Sequence, residues 1–541
     1  MSRSRRRAAS TPSDRSRSRA AADSPRLPAR RTVAIGGAVA AAGITGALVW
    51  AVADGDGAPG ARPEQAPAAA GPAAPARASA RPTLPAKADS TARPRRTAEA
   101  EAEAEAEADT NAYRPPRVTG PRIDPAAHGA DPTGRKDSTA ALGRAVAAAS
   151  ARGGTVWFPA GHYRIDGAVP LADGVTLAGD LARPAVLTGK GRLGDEEWNG
   201  RAAGVTLRDL VLDGVDVAQR GSSTYKRDYR VQRVVFHNAV ASFSTTPNAE
   251  VRESLFLSDR PVPVTPPVDL YKTDRANIHD NVIGVNTAQL GWLDGFFGSS
   301  FPGAAGVLSA VAKAEGWRAD QGAFASGLFG NAASGTTIRR NVFNASLDRN
   351  ASRTTERYDL DHAVYLWGTH GARTVVAGNW FRGWWLSGAE GGVKVRNGQA
   401  VTVRNNTLHD TSVLLYVQDD SNAADHPHHL KDVEVCHNDF RPTRDHGTWG
   451  TGISYMEYPK DATVADVTVR GNVFRDPTRK TGIDLTNGPL NAFTITPDNV
   501  YAAGPTVALE SSAAPPRATR SPTGCTGPAG SGLGSLRVPS Y

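Results

Sequence analysis

Residues 401–408 read VTVRNNTL, and the same pattern returns as VEVCHNDF at 433–440 and VTVRGNVF at 467–474. Each copy is a β-branched run, two polar or small residues ending in asparagine, and a short apolar stretch. Looser copies stand upstream: VRESLF (251–256), NIHDNVI (277–283), TIRRNVF (337–343) and VVAGNWF (375–381). The asparagines fall at 281, 341, 379, 406, 438 and 472, at spacings of 60, 38, 27, 32 and 34 residues. Ser254 holds the equivalent place 27 residues earlier, and Asn499 follows 27 after Asn472. A variable period of short strands without helical periodicity predicts coils of a parallel β-helix. Asparagine suits the bend because it tolerates the left-handed backbone region, and in a solenoid its side chain can bond the coils above and below.

Working outward, the long gap between Asn281 and Asn341 predicts an insertion, taken as 287–334. It holds Trp292, Phe296, Phe297, Phe301, Trp317, Phe324 and Phe329, and a helix near 304–315. Long insertions in solenoids project over one face, so it is read either as a groove wall or as a packing cap. Residues 54–112 are Ala, Pro, Arg and Glu, including AEAEAEAEAEA at 98–108. Such a stretch cannot bury a core and reads as a disordered linker or stalk. The tail, 511–541, is rich in Ser, Pro and Gly and reads as flexible.

Residues 32–53, TVAIGGAVAAAGITGALVWAVA, carry no charge and follow Arg30-Arg31. Ala51-Val52-Ala53 has the small-x-small form of a cleavage site. The segment is read as an export signal or, since 22 residues can span a bilayer, as a membrane tether. A secreted or extracellular chain follows, anchored if the segment is retained. The formal net charge is +8, and the ten arginines and two aspartates of residues 1–53 account for all of it. The balanced remainder argues against nucleic acid as a partner, and a monomer is expected. The two cysteines, Cys436 and Cys525, allow one bond and no disulfide scaffold.

Residues 128–165 read HGADPTGRKDSTAALGRAVAAASARGGTVWFPAGHYRI. Asp137-Ser138-Thr139 opens an alanine-rich helix, Gly153-Gly154 ends it, and TVWF follows as a strand before a Pro159-Ala160-Gly161 turn. GADPTG, DST, GGTV and FPAG in this order resemble the N-terminal cap of the pectate-lyase superfamily, the group of rhamnogalacturonase and epimerase-like proteins. Cap and coils would span about residues 118–505. The resemblance implies an all-β chain, a right-handed parallel β-helix (a single-stranded solenoid) with an N-terminal helix cap, whose partner is a polysaccharide. It does not fix the reaction, because the fold hosts lyases, hydrolases, epimerases and non-catalytic binders.

Candidate chemistry comes from stacking the strands that precede the asparagine turns: 363–368, 392–398, 413–420, 452–458 and 482–488. Side chains alternate across a strand. With Val364, Val393, Leu415, Ile453 and Ile483 inward, one outward column reads Tyr365, Lys394, Tyr416, Ser454 and Asp484. The next reads Trp367, Arg396, Gln418, Met456 and Thr486. Coils lie about 4.8 Å apart, so these columns form one patch. β-Elimination from a uronate needs a base beside the carboxylate and a cation for the charge that develops. Lys394 is expected as base, since a neighbouring cation favours a lysine's neutral form. Arg396 is expected to hold the carboxylate and Tyr416 to protonate the leaving oxygen. Tyr365, Trp367, Gln418 and His362 are expected to bind substrate. The bland alternative is a solvated strand with snorkelling cations.

Glu390, GGVK and the later NNT resemble the alginate-lyase and chondroitinase-B group, whose base aligns with Lys394. That group's leucine-arginine-histidine-glycine run is replaced here by LLYVQDD. A polygalacturonase-type hydrolase is the rival reading: Asp419 and Asp420 would serve as a carboxylate pair with His446 on the next coil. A non-catalytic, cell-surface glycan-binding module is the third. Calcium would suit Asp359, Asp361 and His362, and zinc the Asp425-His426-Pro427-His428-His429 loop. Neither set has complete ligand spacing, so no cofactor is assigned.

Overall fold

The computed structural model describes residues 117–538 except 119, 195–201, 221–226, 260–264, 319–323, 325, 346–361, 385–390, 420–423, 444–451, 458–461, 476–481, 486–488, 503–506, 509–524, 526–529 and 531. The export segment 1–53 and the linker 54–112 lie outside the described residues. So do Asp359, Asp361, Glu390, Asp420, His446 and Thr486.

Three parallel sheets of thirteen, thirteen and twelve strands make up the fold. Each strand pairs with its counterpart one coil away, as Val401, Val433 and Val467 do across the first sheet. One turn of chain runs from Val268–Tyr271 in the third sheet to Asn277–His279 in the first and Val282–Ile283 in the second. Repeating that path builds a right-handed parallel β-helix. The alternation of the repeats is explained by the core. Val403, Val435 and Val469 are fully buried in it. So are aromatic ladders such as Phe236 on Phe256, whose rings stack 4.5 Å apart.

The asparagines stack as expected, through side-chain bonds between coils rather than through a left-handed backbone of their own. Asn379, Asn406, Asn438 and Asn472 have no exposed surface. Each Oδ1 accepts from the backbone N–H of the preceding asparagine, at 2.9–3.1 Å between 379 and 472. Each Nδ2 donates to a backbone carbonyl of the preceding coil. Left-handed backbone falls one residue earlier, at Asp280, Arg340, Asn405 and His437, with φ between 52° and 54°. The asparagine is a ladder rung, and its predecessor makes the bend.

Helix α1 (Thr139–Arg152) buries Leu142, Ala145, Val146 and Ala149 against the first coil. Asp137, rather than Ser138, bonds its first turn, accepting from Thr139 N at 3.0 Å. The insertion is shorter than the reading 287–334, because Ser326–Asn331 is a strand of the third sheet. Its helices, α2 (Trp292–Phe297) and α3 (Ala304–Glu315), bury Leu293, Phe297, Phe301 and Leu308 on Val211, Val235, Leu255 and Val282 of the second sheet. It is therefore a packing cap. The third sheet carries the candidate patch.

The tail is also not wholly loose. Cys436 and Cys525 form a disulfide. Beyond it, Gly530 N–H donates to the His437 carbonyl at 2.7 Å. Arg441 donates to the Gly534 carbonyl and Arg382 to that of Val538, each at 2.7 Å. Leu533 and Val538 join the apolar cluster around Trp380. The arginines suit this role because a backbone carbonyl needs only a donor, whatever its side chain. The Cys525→Ser variant is expected to lose about 2–4 kcal/mol, read as a lower unfolding midpoint under oxidising conditions and none under reduction relative to the reduced wild type.

His409 lies between Arg382 and Arg441 in the second sheet. Burial, then the two guanidiniums, push its pKa from 6.5 down to about 4. A histidine held neutral gives stability that is present above the unfolded value and lost as pH falls. Denaturant midpoints are therefore expected to drop between pH 6.5 and about 4, by about 2–3 kcal/mol for this residue. In the His409→Gln variant that slope should be shallower.

Candidate functional site

Strands His362–Trp367, Gly391–Arg396 and Ser412–Val417 lie side by side in the third sheet. Val364, Val393 and Val413 are level and point into the core. Tyr365 is therefore level with Lys394, and Trp367 with Arg396. The third rung corrects the expected register: Leu414 is level with Lys394 and Tyr416 with Arg396. The expectation had placed Leu415 level with Val393. Val413 and Leu415 are both apolar and both inward, so the pattern does not distinguish a slip of two residues, which preserves the face. Gln418 moves out of the patch in consequence. Its backbone N–H and carbonyl bond the Asn397 side chain, at 2.9 and 2.8 Å.

The slip tightens the cluster. Lys394 Nζ lies 4.4 Å from the ring centre of Tyr416 and 5.1 Å from that of Tyr365. Arg396 Cζ lies 4.2 Å from the Trp367 ring and 5.9 Å from that of Tyr416. Arg396 Nη1 donates to the Tyr365 hydroxyl at 2.9 Å. Lys394 is 6% and Arg396 5% exposed, which rules out the solvated-strand reading. Two like charges buried two residues apart cost several kcal/mol in lost hydration, and ring faces offset part of it.

His362 starts the same strand level with Gly391. Its ring meets Tyr365 edge-on at 4.9 Å. Burial, then the charge on Lys394, hold its pKa well below the ordinary histidine value, against a hydrogen bond to the Gly391 backbone. The imidazole is thus neutral at physiological pH. Its Nδ1 is buried without a hydrogen-bond partner among the described residues, as an available base would be.

Trp367 does not offer the open face expected of it. The His426 ring stacks 4.1 Å above it at 16°. Arg396 lies 4.2 Å from the same ring and comes from the following strand, whereas His426 is bonded to Asn331 on the preceding one. Both faces are filled by the protein. The residue after it, Gly368, has φ +65°, and a β-carbon there would strike the His426 ring and the Asp425 carbonyl. Phe329, one coil before, adds a ring 5.1 Å from Tyr365. It was read in the sequence as part of the insertion.

The carboxylate pair finds no support in its described member. Asp419 has 80% of its side chain exposed and pairs with His428 at 3.1 Å. No group of three His, Cys, Asp or Glu side chains able to hold a metal occurs among the described residues.

Residues 126–206 match the family model described as rhamnogalacturonase A/epimerase, pectate lyase-like. A comparison with curated protein sequences finds no match. Among solved structures, the Streptococcus pneumoniae surface protein and adhesin PfbA aligns over 72% of this chain and 99% of its own, at 13% identity and a TM-score of 0.48. The Azotobacter vinelandii mannuronan C-5 epimerase AlgE4 A-module aligns over 74% and 100%, at 18% identity and a TM-score of 0.39. The exopolygalacturonase of Thermotoga maritima aligns over 74% and 96%, at 11% identity and a TM-score of 0.32. At such scores none of the three bears on what this site does. The family-model match is confined to residues 126–206, and the three parallel sheets that run through and beyond it have the architecture of a pectate-lyase-like right-handed parallel β-helix.

Proposed function

We propose that the chain is an exported polysaccharide lyase that cleaves a uronate-containing polymer by β-elimination. The observation that supports this is the pair of buried cations, Lys394 and Arg396, framed by Tyr365, Trp367 and Tyr416. In this reading Arg396 binds the uronate carboxylate and lowers the cost of charge developing there. Lys394, after releasing its own proton, takes the proton on the carbon beside it. The electrons form the ring double bond as the bond to the glycosidic oxygen breaks, and Tyr416 protonates that oxygen. His362 stands close enough, and neutral enough, to share the base role. The disulfide supports export, since such bonds persist in oxidising compartments.

The test is to incubate the purified full-length chain with polygalacturonate, alginate and glycosaminoglycans. The ultraviolet absorbance of an unsaturated uronate should appear with one of them. New reducing ends without that absorbance would mean a hydrolase. Binding without either product would mean a glycan-binding module, and no interaction with any of them would remove the proposal.

A further inference from the structure

We propose that His426 is a positioning residue that latches Trp367 and thereby sets the Arg396 guanidinium; this rests on the site reading above. His426 belongs to the described stretch 424–428, which lies against earlier coils. There His426 Nε2 meets Asn331 Oδ1 at 2.6 Å, and Asn331 is level with Trp367 one coil away. The neighbouring Asp425 pairs with Lys272 Nζ at 2.8 Å, a coil further back. Asn397 Nδ2 donates to the His426 carbonyl at 3.3 Å. His426 itself is 5% exposed.

The order across the stack is therefore imidazole, indole, guanidinium. An indole free on one side can swing about its two side-chain torsions. With His426 against one face, the only position left for Trp367 is the one that supports Arg396 on the other. Arg396 in turn aims Nη1 at the Tyr365 hydroxyl, which fixes the plane its remaining donors present to a carboxylate. Bidentate recognition depends on that plane as well as on charge. The latch thus acts on ligand geometry through two intervening side chains and touches no ligand itself. It also explains why glycine follows Trp367, since any side chain at 368 would hold the loop off the indole.

The experiment measures affinity of the full-length chain for sodium polygalacturonate and sodium alginate, in wild type, Arg396→Ala, His426→Ala and His426→Phe. His426→Ala is expected to weaken whichever polymer binds, and to lower kcat/KM on it, by about 10- to 100-fold, the scale of a misplacement near 1 Å. His426→Phe keeps the stacked ring and should recover most of that loss, which a general defect in packing would not allow. Should His426→Ala fail to fold, Lys272→Ala, which frees Asp425 two coils from the indole, is expected to weaken binding in the same direction by a smaller factor. If Arg396→Ala binds both polymers like wild type, the site reading fails and the latch with it. If Arg396→Ala abolishes binding while His426→Ala, or in its place Lys272→Ala, matches wild type, the site stands and the latch is overturned. Equal losses in His426→Ala and His426→Phe would overturn stacking as the agent.

Discussion

Replacing Lys394 by glutamine is expected to lower the elimination rate by about 10²–10⁴-fold, the usual contribution of a positioned general base. The substitution preserves length and a donor but removes the basic lone pair. It should not unfold the protein. Taking one of two buried like charges out of an aromatic frame relieves repulsion and desolvation. Thermal unfolding should therefore match or exceed wild type while the ultraviolet signal disappears. The companion variant His362→Gln separates two assignments of the base. If Lys394 takes the proton, the histidine variant keeps most of its rate. If the neutral imidazole does, the losses reverse, and the residual rate of Lys394→Gln should remain first order in substrate. A Lys394→Gln enzyme as fast as wild type would remove Lys394 from the chemistry.

Much of the fold was legible because its stabilising features repeat. Asn281, Asn341, Asn379, Asn406, Asn438 and Asn472 hold one structural role, so their spacing exposes the coils directly. The face on which Lys394 and Arg396 lie was legible for a related reason, the alternation with Val393 and Val395. What the pattern could not carry was position along that face. Val413 and Leu415 satisfy the core equally, and only backbone pairing decides that Tyr416 sits beside Arg396.

Long-range contacts were harder still. His426 reaches Asn331 across 95 residues, and a histidine in a polar loop gives no sign of which indole it will cover. Arg382 and Arg441 bind backbone carbonyls of the tail, and carbonyls have no sequence signature. The Ser, Pro and Gly content of the tail describes its chain entropy and says nothing of the donors waiting on the second sheet. The helices of the insertion show an apolar face that any apolar surface would satisfy. Their choice of the second sheet follows from the row Val211, Val235, Leu255 and Val282, all of it outward-facing. Of that row only Leu255 and Val282 lie in the repeats quoted from the sequence, where nothing marks them as an outward face.

Asn406→Ala tests the ladder, and its expected cost is about 3–6 kcal/mol, since each stranded buried group costs roughly 1–3 kcal/mol. Asn406 Oδ1 accepts from Asn379 N at 2.9 Å and from Asn379 Nδ2 at 3.1 Å. Its Nδ2 donates to the Val376 carbonyl at 3.0 Å and to Asn438 Oδ1 at 2.9 Å. Asn379, Asn406, Asn438 and Val376 are all fully buried. Alanine removes both the acceptor and the donor. The Asn379 amide and the Val376 carbonyl then lose their partners in a fully buried setting. The neighbouring Asn405 supplies the contrast. It holds the left-handed backbone, with φ 52°, so Asn405→Ala should cost less than Asn406→Ala, because both residues carry a β-carbon and alanine loses only asparagine's greater tolerance of that region. Denaturant midpoints of the two variants decide which residue defines the coil. A ladder predicts that the second asparagine of the pair matters more, whereas a turn built on left-handed asparagine predicts the reverse. The loss should also shrink toward the end of the ladder. Asn499 is 7% exposed and bonds Asn472 on one side only, so water can replace part of what Asn499→Ala removes. A cost at 499 equal to that at 406 would mean that the amide is filling space rather than pairing coil to coil.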